Sequence, residues 1–134
     1  MPIFDTAFLI DLTLGDEGAI AMARQVDQGS DIKAISVVTV HEYLRGVFYH
    51  YSGKKQFEEK LRKAMTDLSY FDKLDFTSEI ARHAARVDGH LYKSGGTIPY
   101  ADVVIAATAI HYGLPLITRD EHFKSVRDLT VINY

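Results

Sequence analysis

Four carboxylates stand where the patterning of the chain changes: Asp5 just after "PIF", Glu42 in the helix that follows "AISVV", Asp102 inside the otherwise apolar "IPYADVVIAATAI", and Asp120 two residues after "LPLIT". A charge carried into a dry interior is costly unless it is paired, hydrogen-bonded or bound to a metal. Taken singly, each acid has an ordinary explanation: Asp5, Asp102 and Asp120 as helix caps, Glu42 as a solvated helix residue. Four brought to one place would repel unless a divalent cation neutralised them. An all-oxygen set in a chain without cysteine suits Mg²⁺ or Mn²⁺.

Other chemistries fit the same residues less well. His41 and Glu42 begin an H-E pair, but Arg45 stands where a zinc-protease helix needs its second His. No phosphate-binding G-x-x-x-x-G-K-[ST] loop is present; Gly95 and Gly96 precede no such lysine. A Cys nucleophile is impossible, and no G-x-S-x-G elbow accompanies the six His residues. An aspartyl-phosphate phosphatase would carry a second Asp two residues after the first, where this chain has Ala7. The His residues, His83 and His90 among them, read as surface or partly buried polar groups with no ligand role.

The elements needed to position the acids are legible as an alternation. "PIF" leads into "DTAFLIDLT", and "AISVV" leads into "TVHEYLRGVFYHY", where Thr39 is placed to cap the helix. From Lys54 to Phe71, Phe57, Leu61, Ala64, Met65, Leu68 and Phe71 recur at helical spacing, which predicts an amphipathic outer helix. Thr77 and Ser78 offer an N-cap to a helix with Ile80, Ala84, Val87 and Leu91 on one face, ending at "KSGGT". The apolar run at 98–110, a strand "LPLIT", a segment "RDEHFKSV" and a strand "LTVINY" complete the order. Strand and helix alternate, so an α/β fold with a mainly parallel sheet is expected. Ligands in such sheets gather beyond the carboxyl ends of the strands. That rule brings Asp5, Glu42 and Asp120 to one edge, and the first helical turn holding Asp102 is itself favourable for an anion.

Size and composition are compatible with this reading. A chain of 134 residues with 47% hydrophobic and 25% charged residues is expected to form a single domain over 1–134. The N-terminus has no basic stretch, and the longest apolar run is about half of the ~20 residues that a membrane span needs, so a cytoplasmic protein is expected. A net charge of −3 argues against a general nucleic-acid binder, yet cations bound to four carboxylates would reverse the local field.

The segments "IFDTAFLID", "TVHEYLRG", "IPYADVVIAATAI" and "LITRDEHF", in this order over nearly the whole chain, resemble the motifs of PIN domains, specifically VapC-type toxins of prokaryotic toxin–antitoxin pairs. The resemblance implies a three-layer α/β/α domain that cuts single-stranded RNA with Mg²⁺ or Mn²⁺, leaving a 5′-phosphate. It implies Asp5, Glu42, Asp102 and Asp120 as metal ligands and catalytic residues, and a small antitoxin and a homodimer as the assemblies. Two positions depart from the pattern: Ala7 where Asn is frequent, and His122 near the late acid of "TRDEHF". Thr6 and Thr118 fit hydroxyl positions that support the carboxylates. Arg45, Lys54, Arg119 and Lys124 are candidate phosphate contacts. Tyr43, Phe48, Tyr49 and Tyr51 make the helix after Glu42 unusually aromatic, suited to an antitoxin peptide, a second subunit or the core. The competing expectation is a catalytically weak PIN-fold module that grips RNA or a protein without cutting. Retention of all four acids counts against it.

Overall fold

The central strands are short and fully buried. A computed structural model describes residues 1–29 and 32–134. In it the strands β1 (Ile3–Phe4), β2 (Ala34–Ser36), β3 (Asp72–Leu74), β4 (Leu116–Ile117) and β5 (Val131–Ile132) form one sheet in the order β3-β2-β1-β4-β5. Every pairing is parallel. β1, β2 and β4 are fully buried, as expected of parallel strands covered on both faces.

Six helices supply that cover: α1 (Thr6–Thr13), α2 (Glu17–Gln28), α3 (Val37–Tyr51), α4 (Phe57–Ser69), α5 (Ser78–Lys93) and α6 (Tyr100–Tyr112). Successive strand residues point to opposite faces, and the core divides accordingly. Ile3 and Leu116 pack with α5 and α6 residues such as Ile80, Leu91 and Ile105. Phe4, Ile35 and Ile117 pack with Phe8, Ala19 and Leu68 from α1, α2 and α4. This is a three-layer α/β/α architecture. From Val103 to Ala109 every residue of α6 is buried, which accounts for the unbroken apolar run there. Thr108 satisfies its hydroxyl by donating to the Val104 carbonyl at 2.7 Å.

The sequence expectations need local correction. Ser36, not Thr39, caps α3: its hydroxyl accepts from the Val38 N–H at 3.2 Å, so "VV" already belongs to the helix and Thr39 is buried inside it. The helix expected from Lys54 starts at Phe57, after a turn. β3 adds an edge strand where exposed Asp72 and Lys73 hide any alternating pattern, and α2, capped by Asp16, adds a helix between β1 and β2. Thr77 caps α5 as expected.

Candidate active site

β1 lies between β2 and β4, and the chain runs outward from it in both directions, so the crevice past the end of β1 is the switch point of the sheet. Register makes the first contact there. Phe4 stands opposite Ile117, so the residues one step beyond, Asp5 and Thr118, meet at the carboxyl ends of β1 and β4. The Thr118 hydroxyl donates to Asp5 Oδ2 and accepts from the Asp120 N–H at 3.0 Å. Asp5 Oδ1 accepts from the Phe8 N–H at 2.9 Å, capping α1. Asp5 is therefore both a cap and a member of the site, buried to 3% exposure.

Glu42 reaches the same edge from the second turn of α3. The Thr6 hydroxyl, first residue of α1, donates to Glu42 Oε1 at 2.6 Å and lies 3.1 Å from the Thr39 hydroxyl. Asp102 occupies the first turn of α6, behind Pro99, which provides no side-chain cap. Asp120 caps the short 3₁₀ turn Glu121–Ser125 by accepting from the His122 N–H at 2.9 Å. Burial pushes the Asp102 carboxyl up to about 6, with Asp120, Glu42 and Asp5 raising it further as like charges. Burial also raises Asp5, against the lowering hydrogen bonds from Thr118 and Phe8, with Asp120 adding repulsion. All four acids thus share one electrostatic environment.

The sequence of PIN domains matches this chain over residues 3–129. The chain belongs to the PIN domain family. It is 30% identical to Ribonuclease VapC of Rickettsia bellii over 135 residues, spanning 97% of this chain and 93% of the relative. Among solved structures, a member of the VapBC family of toxin–antitoxin systems, VapBC-5 from Mycobacterium tuberculosis, is similar at 25% identity and a TM-score of 0.75, covering 99% of this chain and 98% of that one. VapBC2 from Rickettsia felis, bound to a DNA fragment from its promoter, shares the fold with a TM-score of 0.85 at 22% identity, over 98% of this chain and 97% of that chain. Among the described residues, no helix is long and apolar enough to cross a membrane.

In this PIN domain the basic residues proposed to meet phosphate fall into three groups. Arg119 points away from the acids and is fully engaged. It makes two bonds to Asp16, at 3.2 and 2.8 Å, donates to the Tyr134 carbonyl at 3.2 Å and stacks over the Tyr134 ring at 4.2 Å. The Tyr134 hydroxyl in turn donates to Asp11 at 2.6 Å. This latch ties β5 to α1 and α2 and engages Arg119, expected to meet phosphate, in bracing the fold. Lys54 lies in the turn beyond α3, at least nine helical residues or roughly 14 Å from Glu42 along the axis. Arg45, 3.9 Å from Glu42 Oε2, and Lys124, paired with Glu121 at 2.7 Å, remain beside the site with exposed side chains.

The sequence marked His122 as a departure from the family pattern and gave it no ligand role. His122 Nδ1 sits 3.2 Å from Asp120 Oδ1 and 3.7 Å from Asp102 Oδ2. Asp102, Asp120 and His122 each offer one ligand atom within 4.8 Å of the others. Carboxylates that crowd around a shared point, with Asp102 raised by burial and by its acidic neighbours, are a donor set suited to a divalent cation.

Proposed function

We propose that this PIN domain is a VapC-type toxin, an endoribonuclease that hydrolyses phosphodiester bonds of single-stranded RNA in the cytoplasm and is neutralised by a small antitoxin. The observation that carries this reading is the meeting of Asp5, Glu42, Asp102 and Asp120 at the switch point of the sheet, close enough for three of them to raise the fourth. The ribonuclease name of the R. bellii relative and the toxin–antitoxin system of the M. tuberculosis structure support it.

Asp5, Glu42, Asp102 and Asp120 would hold Mg²⁺ or Mn²⁺, which lowers the pKa of a water and offsets charge on the scissile phosphate when bound. The chain's own groups do the positioning. Thr118 and the Phe8 N–H fix both oxygens of Asp5, and Thr6 fixes one oxygen of Glu42, whose other oxygen lies 3.9 Å from Arg45. Asp102, whose helix has no side-chain cap, keeps its carboxylate for the site. Arg45 and Lys124 are placed to meet phosphates entering from solvent.

A groove of about 510 Å³ between α1, α3 and α4, lined by Ile10, Leu14, Tyr43, Val47 and Tyr51, ends at Glu42. It supports an antitoxin segment as occupant, with the exposed Phe48 and Tyr49 beside it available to a second copy of the chain. Cleavage of single-stranded RNA tests the reading. The purified protein is expected to cut with Mg²⁺ or Mn²⁺ and to stop on chelation or with Asp5→Asn. Cutting unaffected by either would refute the metal site; RNA binding with no cutting in any metal would favour the binding module.

A further inference from the structure

We propose that His122 is a ligand to the divalent cation through Nδ1, making the outer rim of the site a mixed nitrogen–oxygen centre that takes Mn²⁺ in preference to Mg²⁺. This rests on the metal-dependent reading above, and the experiment below separates the two.

The local fold holds the imidazole in place. Phe123 is fully buried and anchors the 3₁₀ turn, which turns the adjacent His122 outward along the edge of the crevice. Asp120 accepts the His122 N–H, and Ser125 donates its hydroxyl to the His122 carbonyl at 2.9 Å, so carboxylate and imidazole are parts of one braced turn. Asp102 arrives from a different element, α6, and still comes within 3.7 Å of the same nitrogen. One ring N–H can donate in line to a single acceptor. Two carboxylates from separate elements grouped around one imidazole nitrogen instead resemble ligands grouped around a common centre.

The spacing is near what one ion requires. Ligand atoms held at ~2.0–2.2 Å from one ion lie at most roughly 4.4 Å apart, so the three donor atoms, which lie within 4.8 Å of one another, need only a small inward adjustment. The chemistry then sets the metal. Mg²⁺ keeps to oxygen donors and its own waters, whereas an imidazole nitrogen adds affinity for first-row transition ions. Of the two cations that the carboxylates suit, only Mn²⁺ gains from His122.

Mn²⁺ is itself the probe. Protein without a histidine tag is loaded with substoichiometric Mn²⁺, and the electron spin echo is read for ¹⁴N modulation from a coordinated imidazole. The expected result is modulation in the wild type and none in His122→Ala, which should bind Mn²⁺ about tenfold more weakly while its Mg²⁺ affinity, measured by competition, is unchanged. His122→Gln, which keeps a polar side chain at this exposed position, should behave as His122→Ala does. Bound Mn²⁺ with no ¹⁴N modulation, or modulation that persists in His122→Ala, would overturn His122 as a ligand and leave the carboxylate site standing. Wild-type protein that binds no Mn²⁺ at millimolar concentration would overturn both.

Discussion

Asp102 is the acid on which the other three converge, and its titration is the most direct report on them. Its carboxyl is raised from 3.8 to about 6, so the folded protein keeps a proton that the unfolded chain gives up. Stability contributed by this group therefore falls as pH rises between about 4 and 6 and stays reduced above 6 while no cation is bound. Asp102→Asn is expected to raise the melting temperature of the chelated protein by about 3–4 °C at pH 7.5 and hardly at all at pH 4. An equal rise at both pH values would mean that neither burial nor the neighbouring acids hold this carboxyl above its free value. Thr118 is the second test at this scale, because one hydroxyl serves both Asp5 and Asp120. Thr118→Val should cost about 2 kcal/mol in urea unfolding and lower metal affinity roughly 10–100-fold in titration calorimetry. Asp5, Asp102 and Asp120 were legible in the sequence because each stands at a strand or helix end, and Glu42 because its helix follows a strand that ends at the same edge of the sheet. His122 was not, since its approach to Asp102 depends on a 3₁₀ turn that no periodicity announces.

The elements matter here for what they aim. α3 carries Glu42, and its start is set by the buried Ser36, whose side chain closes the first turn. Ser36→Ala is expected to cost about 1 kcal/mol of stability by equilibrium unfolding, without loss of the fold. α5 and α6 were legible from apolar spacing and, for α5, from its Thr77 cap. The start of α3 was not: β-branched Val37 and Val38 suit a strand, and only the Ser36 cap draws them into the helix. β3 and α2 escaped for different reasons. β3 is an edge strand with two exposed residues of its three, so burial imposes no alternation on it. α2 buries only Ala19 completely, and its apolar face becomes informative only once α1 is seen beneath it.

At the scale of the whole molecule, metal and fold are linked. A cation that binds the native site alone should add about 2.7 kcal/mol at a hundredfold excess over its Kd, seen as a higher melting temperature with Mn²⁺ than with chelator. Asp5→Asn should abolish most of that gain. The Arg119 latch belongs to this scale as well. Arg119 and Asp16 are 103 residues apart in sequence, a pairing that local patterns do not reveal, and a Cβ on Gly18 would lie 2.6 Å from the guanidinium and push its tip aside. The Thr118–Asp5 bond spans 113 residues, and this distance has a consequence for the order of synthesis. A ribosome delivers Asp5 well before Asp120. Until Leu116–Ile117 has docked beside Ile3–Phe4, Asp120 has not joined the other acids. A centre that needs all four acids is therefore incomplete until the last of them has been made and β4 has docked.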